Sequence, residues 1–326
     1  MEASFYWQNT FEVPWMVINA GLRVDGVQYN TKVWSTPEGE FSATRPWFWS
    51  DCGVDNICNG TVGVAYPGPD LGEDDGVWNY GEETGIEFGM PNAQVFFKPS
   101  EWLYKLSPRL GFSHVITDQS TFTFNYGLYY QTPVYENIYL NTNRQENPQE
   151  LIVQTEGYIG NATMSASRTQ SYEFGFNVQA GRHWAYSVSG WVKDMDRLST
   201  AKTYRSMVGE YSVSSNGDYG AAKGIDFTLT NRGQLVNTTI QYTYSKAKAN
   251  GEYDQAAFGN QYVDAPTQEF TMPFDRPHDL TVQLYTFLPF GINASLTGFY
   301  QSGIPYTGVI FDGDDPANQD KPDELN

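Results

Sequence analysis

The stretch Thr121-Phe122-Thr123-Phe124-Asn125-Tyr126-Gly127-Leu128 decides the fold class of this chain. Its even-numbered positions are all apolar or aromatic, and its odd-numbered positions carry a hydroxyl, an amide or no side chain. Successive side chains of a β-strand point to opposite faces of the sheet. The stretch therefore predicts a strand with one apolar face and one polar face.

The same alternation recurs along most of the chain. Further alternating segments lie at 172–178, 184–193, 225–230, 236–245, 280–284 and 292–300, and Trp191 interrupts one of them. Their apolar faces carry no charge, which is informative because a Lys or Arg facing lipid near the bilayer midplane costs roughly 2–4 kcal/mol. The charges lie between the segments or on the polar faces, as do Arg23, Arg109, Glu173, Lys193 and Asp226.

A soluble β-sandwich is the alternative, since its strands also alternate between a buried and an exposed face. Two features favour a transmembrane barrel. The segments approach the ~9–11 residues needed to cross a bilayer at a tilt, whereas soluble strands cluster near ~5–6. Tyr, Phe and Trp crowd the ends of the apolar faces, as expected for aromatic girdles at two membrane interfaces.

The lengths of the connections give the third argument for a barrel. Short connections are expected around Val13-Pro14, Thr117-Asp118-Gln119, Gly181-Arg182, Arg232-Gly233 and Pro289-Phe290-Gly291, and long ones at 25–104, 131–170, 195–217 and 246–278. Outer-membrane barrels have short periplasmic turns and long extracellular loops, whereas a sandwich has no reason to alternate. We therefore predict an all-β, antiparallel, up-and-down transmembrane barrel of about ten strands, with 25–104 as a long extracellular loop region.

Composition agrees with this prediction. The chain has 326 residues, 19 Lys+Arg against 38 Asp+Glu and a net charge of −19, so it lacks the clustered cations that nucleic acid requires. No stretch approaches the ~18 consecutive apolar residues of a transmembrane helix. Acidic external loops suit a surface where divalent cations bridge lipopolysaccharide, although a solvated charge run is the commoner explanation. Outer-membrane lipid and lipopolysaccharide are therefore the expected surroundings.

The two cysteines, Cys52 and Cys58, lie in the longest predicted loop. A metal site needs more ligands nearby, and the histidines are far off in sequence, so a disulfide in an oxidising compartment is the expectation. Acidic residues of the same loop offer oxygen atoms to Ca²⁺, but they lack the spacing of an EF-hand. We predict no metal site.

No catalytic constellation is present, since the chain has no P-loop, G-x-S-x-G or H-E-x-x-H motif. We expect no enzyme and no cofactor. The most conspicuous loop cluster is Arg45-Pro46-Trp47-Phe48-Trp49. Trp47 and Trp49 are candidates for stacking on a sugar or peptide ligand, and packing of the loop against its neighbours is the alternative.

Several strings, in order along nearly the whole chain, resemble the barrel of TonB-dependent receptors. The strings are Asn19-Ala20-Gly21-Leu22-Arg23-Val24-Asp25, Leu106-Ser107-Pro108-Arg109-Leu110-Gly111-Phe112, Phe124-Asn125-Tyr126-Gly127-Leu128-Tyr129-Tyr130-Gln131-Thr132-Pro133, Tyr172-Glu173-Phe174-Gly175-Phe176, Tyr242-Thr243-Tyr244-Ser245-Lys246-Ala247, Asp275-Arg276-Pro277-His278-Asp279-Leu280 and Ser302-Gly303-Ile304-Pro305-Tyr306-Thr307. They are most similar to the Oar-like branch, which carries a carboxypeptidase-regulatory-like domain ahead of its plug. The resemblance implies an outer-membrane barrel of about 22 strands, filled by an N-terminal plug and driven by the TonB complex.

This chain departs from that pattern, because it has about ten predicted strands, no plug and no terminal strand ending in an aromatic residue. We therefore expect residues 1–326 to form one partial barrel domain of a longer active transporter or receptor in the bacterial outer membrane. Its ligand would be an unknown small molecule or peptide, and Arg23, Arg109, Glu173 and Asp226 would face the plug in the lumen. A passive porin or adhesin barrel and a secreted β-rich carbohydrate-binding domain are the alternatives.

Overall fold

The computed structural model of the chain describes residues 1–85, 91–147, 158–206, 209–250 and 269–305. Strands dominate these residues. They are β1 Glu2–Val13, β2 Met16–Val27, β3 Lys32–Trp34, β4 Phe48–Ser50, β5 Ala93–Val95, β6 Phe97–Pro99, β7 Leu103–Thr117, β8 Ser120–Gln131, β9 Tyr158–Ile159, β10 Ser167–Ala180, β11 Trp184–Ser206, β12 Gly209–Arg232, β13 Val236–Ala249, β14 Phe270–Thr271, β15 His278–Leu288 and β16 Ile292–Gln301. Short helices lie at Tyr135–Tyr139, Thr142–Arg144 and Pro289–Gly291, and no helix of the described ranges is long and apolar enough to cross a membrane.

Ten long strands form one sheet in the order β1-β2-β7-β8-β10-β11-β12-β13-β15-β16. Each strand is antiparallel to the next long strand in the chain, so the topology is up-and-down. In the part of the chain that the structure describes, β1 and β16 do not pair with each other. The prediction of a partial, antiparallel barrel of about ten strands is confirmed.

The pairing register keeps most apolar positions on one side of the sheet, which we call the outward face. Phe124 of β8 lies opposite Phe112 of β7 and Phe174 of β10. The ring centroids of Phe122 and Phe176 are 4.9 Å apart, and Phe174 is 48% exposed. This face is apolar, continuous and uncovered by protein, as expected for a wall that lies against lipid.

The buried core lies in the connections and not under the sheet. One cluster joins Val27, Tyr29 and Val33 to Ile138, Ala162 and Met164, and a second joins Trp34 to Ile159 and Val213. Hydrogen bonds tie the same segments together, including Tyr139 Oη to the Tyr29 carbonyl at 2.6 Å and Asn161 Nδ2 to the Ser214 carbonyl at 2.9 Å. The described residues of 28–102 and 132–166 therefore form one packed unit, which we call the loop module.

The connections alternate in length, but one predicted loop is a pair of strands. Residues 195–217 were expected to be a long loop, but 195–206 belong to β11 and 209–217 to β12, and the two strands pair out to Ser206 and Gly209. Irregular register between Met195 and Ser199 marks a bulge there, and Arg197 has a positive φ of 57°. Residues 212–213 of β12 also pair with β9, so the extended hairpin supports the loop module.

Opposite faces of one strand should respond differently to the same charge. We expect Phe124→Arg to lower the free energy of unfolding in lipid vesicles by about 2–4 kcal/mol, because Phe124 faces outward. The matched control is Asn125→Arg, which lies opposite Glu173 on the other face and should change stability by less than about 1 kcal/mol. Urea titration of vesicle-folded protein measures both values, and equal effects would contradict the assignment of faces.

Candidate functional site

The side of the sheet opposite the outward face carries the polar residues, and we call it the lumen face. Arg23, Arg109, Glu173 and Asp226 all lie on it. Their register partners are Tyr6 and Ser107 for Arg23, Gly21 and Gly127 for Arg109, Asn125 and Trp191 for Glu173, and Ser189 and Thr243 for Asp226. Residues paired across the strands form rows along the sheet. Counted from the short-turn end, Asp226 lies in the first of four successive rows, followed by Glu173, Arg109 and Arg23.

Asp226 is held by two neighbouring strands. Its carboxylate accepts a hydrogen bond from Trp191 Nε1 at 2.9 Å and one from Thr243 Oγ1 at 2.7 Å. Trp191 interrupts the apolar alternation because its ring lies on the lumen face, where it covers Gly224. A Cβ at Gly224 would come within 2.6 Å of that ring, so the glycine makes room for the tryptophan.

The two arginines differ in their partners. The Arg23 guanidinium pairs with Asp25 two residues along the same strand, with Nη2 2.8 Å from Oδ1. Arg109 instead places its guanidinium carbon 4.8 Å from the centre of the Tyr129 ring, and Tyr129 covers Gly127. Within the described residues, neither Arg109 nor Glu173 forms an ion pair. These two side chains therefore retain hydrogen-bonding capacity toward the lumen.

Side chains on the lumen face lie along the wall. Besides the two rings above, Asn125 covers Gly111 and Thr123 covers Gly175, whose added Cβ atoms would lie 2.6 and 2.9 Å from those side chains. Because a glycine has no side chain of its own, the side chain of a neighbouring residue can lie over it, close to the backbone. At these four positions the side chain therefore lies along the wall and does not extend across the lumen.

The two candidate ligand-stacking tryptophans have different surroundings in the loop module. Trp49 is 4% exposed and packs against Phe96, with ring centroids 5.8 Å apart. Trp47 is 38% exposed. Packing of the loop accounts for Trp49, while Trp47 has the exposed surface that stacking requires. The ligand role of the pair stays a prediction.

The structure joins Cys52 and Cys58 in a disulfide inside the acidic part of the loop module. Asp51 beside it is buried, and its carboxylate accepts hydrogen bonds from the backbone N–H groups of Asp75 and Gly76. Nearby, burial raises the pKa of Glu82, which accepts a hydrogen bond from the Asn79 N–H at 2.5 Å. No group of three or more His, Cys, Asp or Glu in the described ranges could hold a metal ion.

Sequence reasoning missed Trp191 and Tyr129 as parts of the lumen wall, and it missed Thr243 as a partner of Asp226. The break in alternation at Trp191 was the available signal, because an aromatic residue at a polar position of a strand has to lie on the polar face. Thr243 lies at a polar position of the alternating segment 236–245, which predicts its face but not its hydrogen bond to Asp226, and Tyr129 carries no signal in the sequence. Their roles depend on which residue of the next strand the register places beside them.

A family model described as "TonB dependent receptor-like, beta-barrel" matches residues 2–323. The chain belongs to this family. It is accordingly a β-barrel segment of the bacterial outer membrane, from a family of receptors and transporters and not of enzymes. A comparison with curated proteins gave no match.

Solved structures of outer-membrane transporters and receptors share the fold. The FrpB iron transporter from Neisseria meningitidis (F3-3 variant) is 12% identical with a TM-score of 0.52, and the match covers 92% of this chain and 32% of that one. A double mutant of the Serratia marcescens hemophore receptor HasR, in complex with its hemophore HasA and heme, is 14% identical with a TM-score of 0.52 and coverages of 93% and 44%. The Escherichia coli outer membrane transporter YddB is 10% identical with a TM-score of 0.51 and coverages of 92% and 42%. The chain thus spans between about a third and just under half of these solved chains.

Removing the acceptor that links three strands should destabilise the wall. We expect Asp226→Ala to lower the free energy of unfolding by about 1–3 kcal/mol, because the Trp191 N–H and the Thr243 hydroxyl both lose their partner. Asp226→Asn keeps an acceptor oxygen and should lose less. Urea unfolding in vesicles, followed by Trp fluorescence, measures the difference, and equal losses would show that hydrogen bonding at this position is not what matters.

The raised pKa of Glu82 gives the loop module a pH dependence. The unfolded carboxyl titrates near 4.5 and the folded one higher, so the folded state holds a proton that the unfolded state releases. The contribution of Glu82 to stability is therefore greatest below pH 4.5 and falls as the pH rises through the folded pKa. We expect Glu82→Gln to remove this loss and to slow backbone hydrogen exchange around residues 79–82 at pH 7 relative to the wild type. The control is Glu83→Gln, and the same change in both variants would contradict the assignment to Glu82.

Proposed function

We propose that this chain forms part of the wall of an active outer-membrane transporter that binds an extracellular ligand and moves it inward with TonB-supplied energy. The observation that carries the proposal is a lumen face that lies flat and still presents Arg109 and Glu173 without an ion-pair partner among the described residues. Such a wall favours an occupant that supplies its own hydrogen-bonding groups. A water-filled pore would also solvate these charges, so the proposal needs a test that separates the two.

The proposed occupant is an N-terminal plug domain supplied by the longer protein. Arg109 and Glu173 are the best-placed contacts, because Arg23 is already paired with Asp25 and Asp226 with Trp191 and Thr243. Coverage of the solved transporters and receptors supports a larger barrel, since this chain matches 32–44% of their lengths. The remaining strands and the TonB-contacting segment would come from that longer protein, whose closest branch we infer to be Oar-like.

The loop module is the proposed ligand-binding part, on the extracellular side. It is the best-packed part of the chain, and it rests on the extended β11–β12 hairpin, so it can present a fixed surface. Trp47 is one of its exposed aromatic residues and precedes the disulfide-closed segment in the sequence. A small molecule or a peptide is the proposed ligand class. The secreted carbohydrate-binding alternative does not fit a member of an outer-membrane barrel family.

The conductance of the complete receptor in planar lipid bilayers tests the plug and separates it from a passive porin. A plugged receptor should carry no steady current until urea loosens the plug, whereas a porin should conduct at once. We expect the double variant Arg109→Ala and Glu173→Ala to open at a lower urea concentration than the wild type. Arg23→Ala is the matched control, because its guanidinium is already paired with Asp25.

A steady current through the wild type without urea would overturn the proposed plug. The same opening concentration in the wild type and the double variant would remove Arg109 and Glu173 from the plug contact. Uptake of radiolabelled ligand in cells with and without the TonB complex then tests the energy coupling once a ligand is known.

A further inference from the structure

Three lysines gather on the outward face where β12 and β13 leave the apolar band. Lys223 lies directly opposite Lys246 across the two strands, and Lys248 lies opposite Ala221. On β12 the same face continues through Ile225, and on β13 it continues through Tyr244. The lysines therefore point to the outside of the barrel, at its long-connection end, and not into the lumen.

These lysines lack an ion-pair partner in the part of the chain that the structure describes. Among the described residues, none of the three has a carboxylate oxygen within 4.0 Å of its ammonium nitrogen. Lys223 and Lys246 are exposed, and Lys248 is partly buried. Like charges directly opposite each other on a sheet are unfavourable. Their clustering is notable because acids outnumber bases in this chain by 38 to 19.

Other ionisable groups lie beside the lysine cluster, on its β11 side and on its β15 side. Asp194 lies opposite Ala221 on β11. A cavity of about 220 Å³ lies on that side, and the charged residues that line it are Arg168, Asp194, Asp196 and Glu269. On the other side, His278 lies opposite Tyr244 and its Nδ1 is 2.8 Å from the Tyr242 hydroxyl. The surface above Lys223 and Lys246 thus has basic groups on two strands and an acidic edge toward β11.

We propose that Lys223, Lys246 and Lys248 bind the phosphate group of an anionic lipid in the outer leaflet. The place fits this ligand, because the cluster begins one outward position beyond Ile225 and Tyr244, where an apolar and aromatic wall gives way to charge. Lysine is a strong phosphate binder, as a point charge with three donors. Phosphate would also relieve the repulsion between Lys223 and Lys246. The inference rests on the outer-membrane location of the barrel and not on energised transport.

Snorkelling is the simpler alternative, in which each lysine extends its ammonium group to water and binds no particular lipid. The two explanations differ in saturability and in dependence on phosphate. A site should bind one or a few lipid molecules and require the phosphate, whereas snorkelling should show no preference among headgroups of similar size.

Native mass spectrometry of the complete, detergent-purified receptor tests the site, with bisphosphorylated lipid A as the probe and chemically dephosphorylated lipid A as its control. We expect wild-type protein to retain bisphosphorylated lipid A at least tenfold better than the dephosphorylated form. The triple variant Lys223→Gln, Lys246→Gln and Lys248→Gln should lose this preference. The matched control changes Lys32, Lys98 and Lys202 to Gln, which alters the net charge equally but leaves the outward cluster intact.

Three outcomes would overturn the proposal, and a fourth would support it. Equal retention of the two lipids by the wild type would favour snorkelling, and this comparison holds even if the triple variant does not fold. Retention by the triple variant at the wild-type level would place the phosphate elsewhere. Displacement of the lipid by millimolar inorganic phosphate would assign the site to free phosphate. Retained binding in a variant with all three lysines changed to Arg would support the site, since Arg keeps the charge. Whether the receptor conducts or imports a ligand does not enter these measurements.

Discussion

Every backbone N–H and C=O group in the hydrocarbon layer needs a partner within the protein, because lipid supplies none. In this chain the antiparallel ladder meets that need from β2 to β15, and the rest of the architecture depends on its register. A shift by one residue would exchange the two faces of a strand and bring polar side chains against lipid. Rows such as Phe112, Phe124 and Phe174 show a register that keeps lipid-facing side chains together.

A wall built in this way has no core of its own, so the protein places its buried residues elsewhere. Lipid covers one face, and the other face must stay open enough to admit what the lumen holds. Trp191 and Tyr129 illustrate the second requirement, because each lies over a glycine and not across the lumen. The loop module then supplies the packed core, and β11 and β12 connect it to the wall by continuing beyond the apolar band.

The sequence predicted the wall well and the region beyond it poorly, for one physical reason. Alternation reports which environment each face of a strand meets, and it is strong where lipid lies on one side. The described residues of 199–216 lie beyond the apolar band, and the Ser- and Thr-rich sequence there carries no such pattern, so 195–217 was expected to be a loop. They are held in strands because β11 pairs with β12 and β12 also pairs with β9. Alternation indicates that Arg23, Arg109, Glu173 and Asp226 share the polar face, but their partners depend on register, which a single strand does not encode.

The outward face ends in different types of residue at the short-turn end and at the long-connection end of the strands. At the short-turn end the outward face finishes in aromatic and apolar residues such as Trp184 and Ile292, which are exposed. At the other end of β12 and β13 it finishes in lysines. A lysine tolerates the edge of the hydrocarbon layer because its stem is apolar and its ammonium group reaches the headgroups. We therefore expect the membrane boundary on β12 to lie where the outward face passes from Ile225 to Lys223.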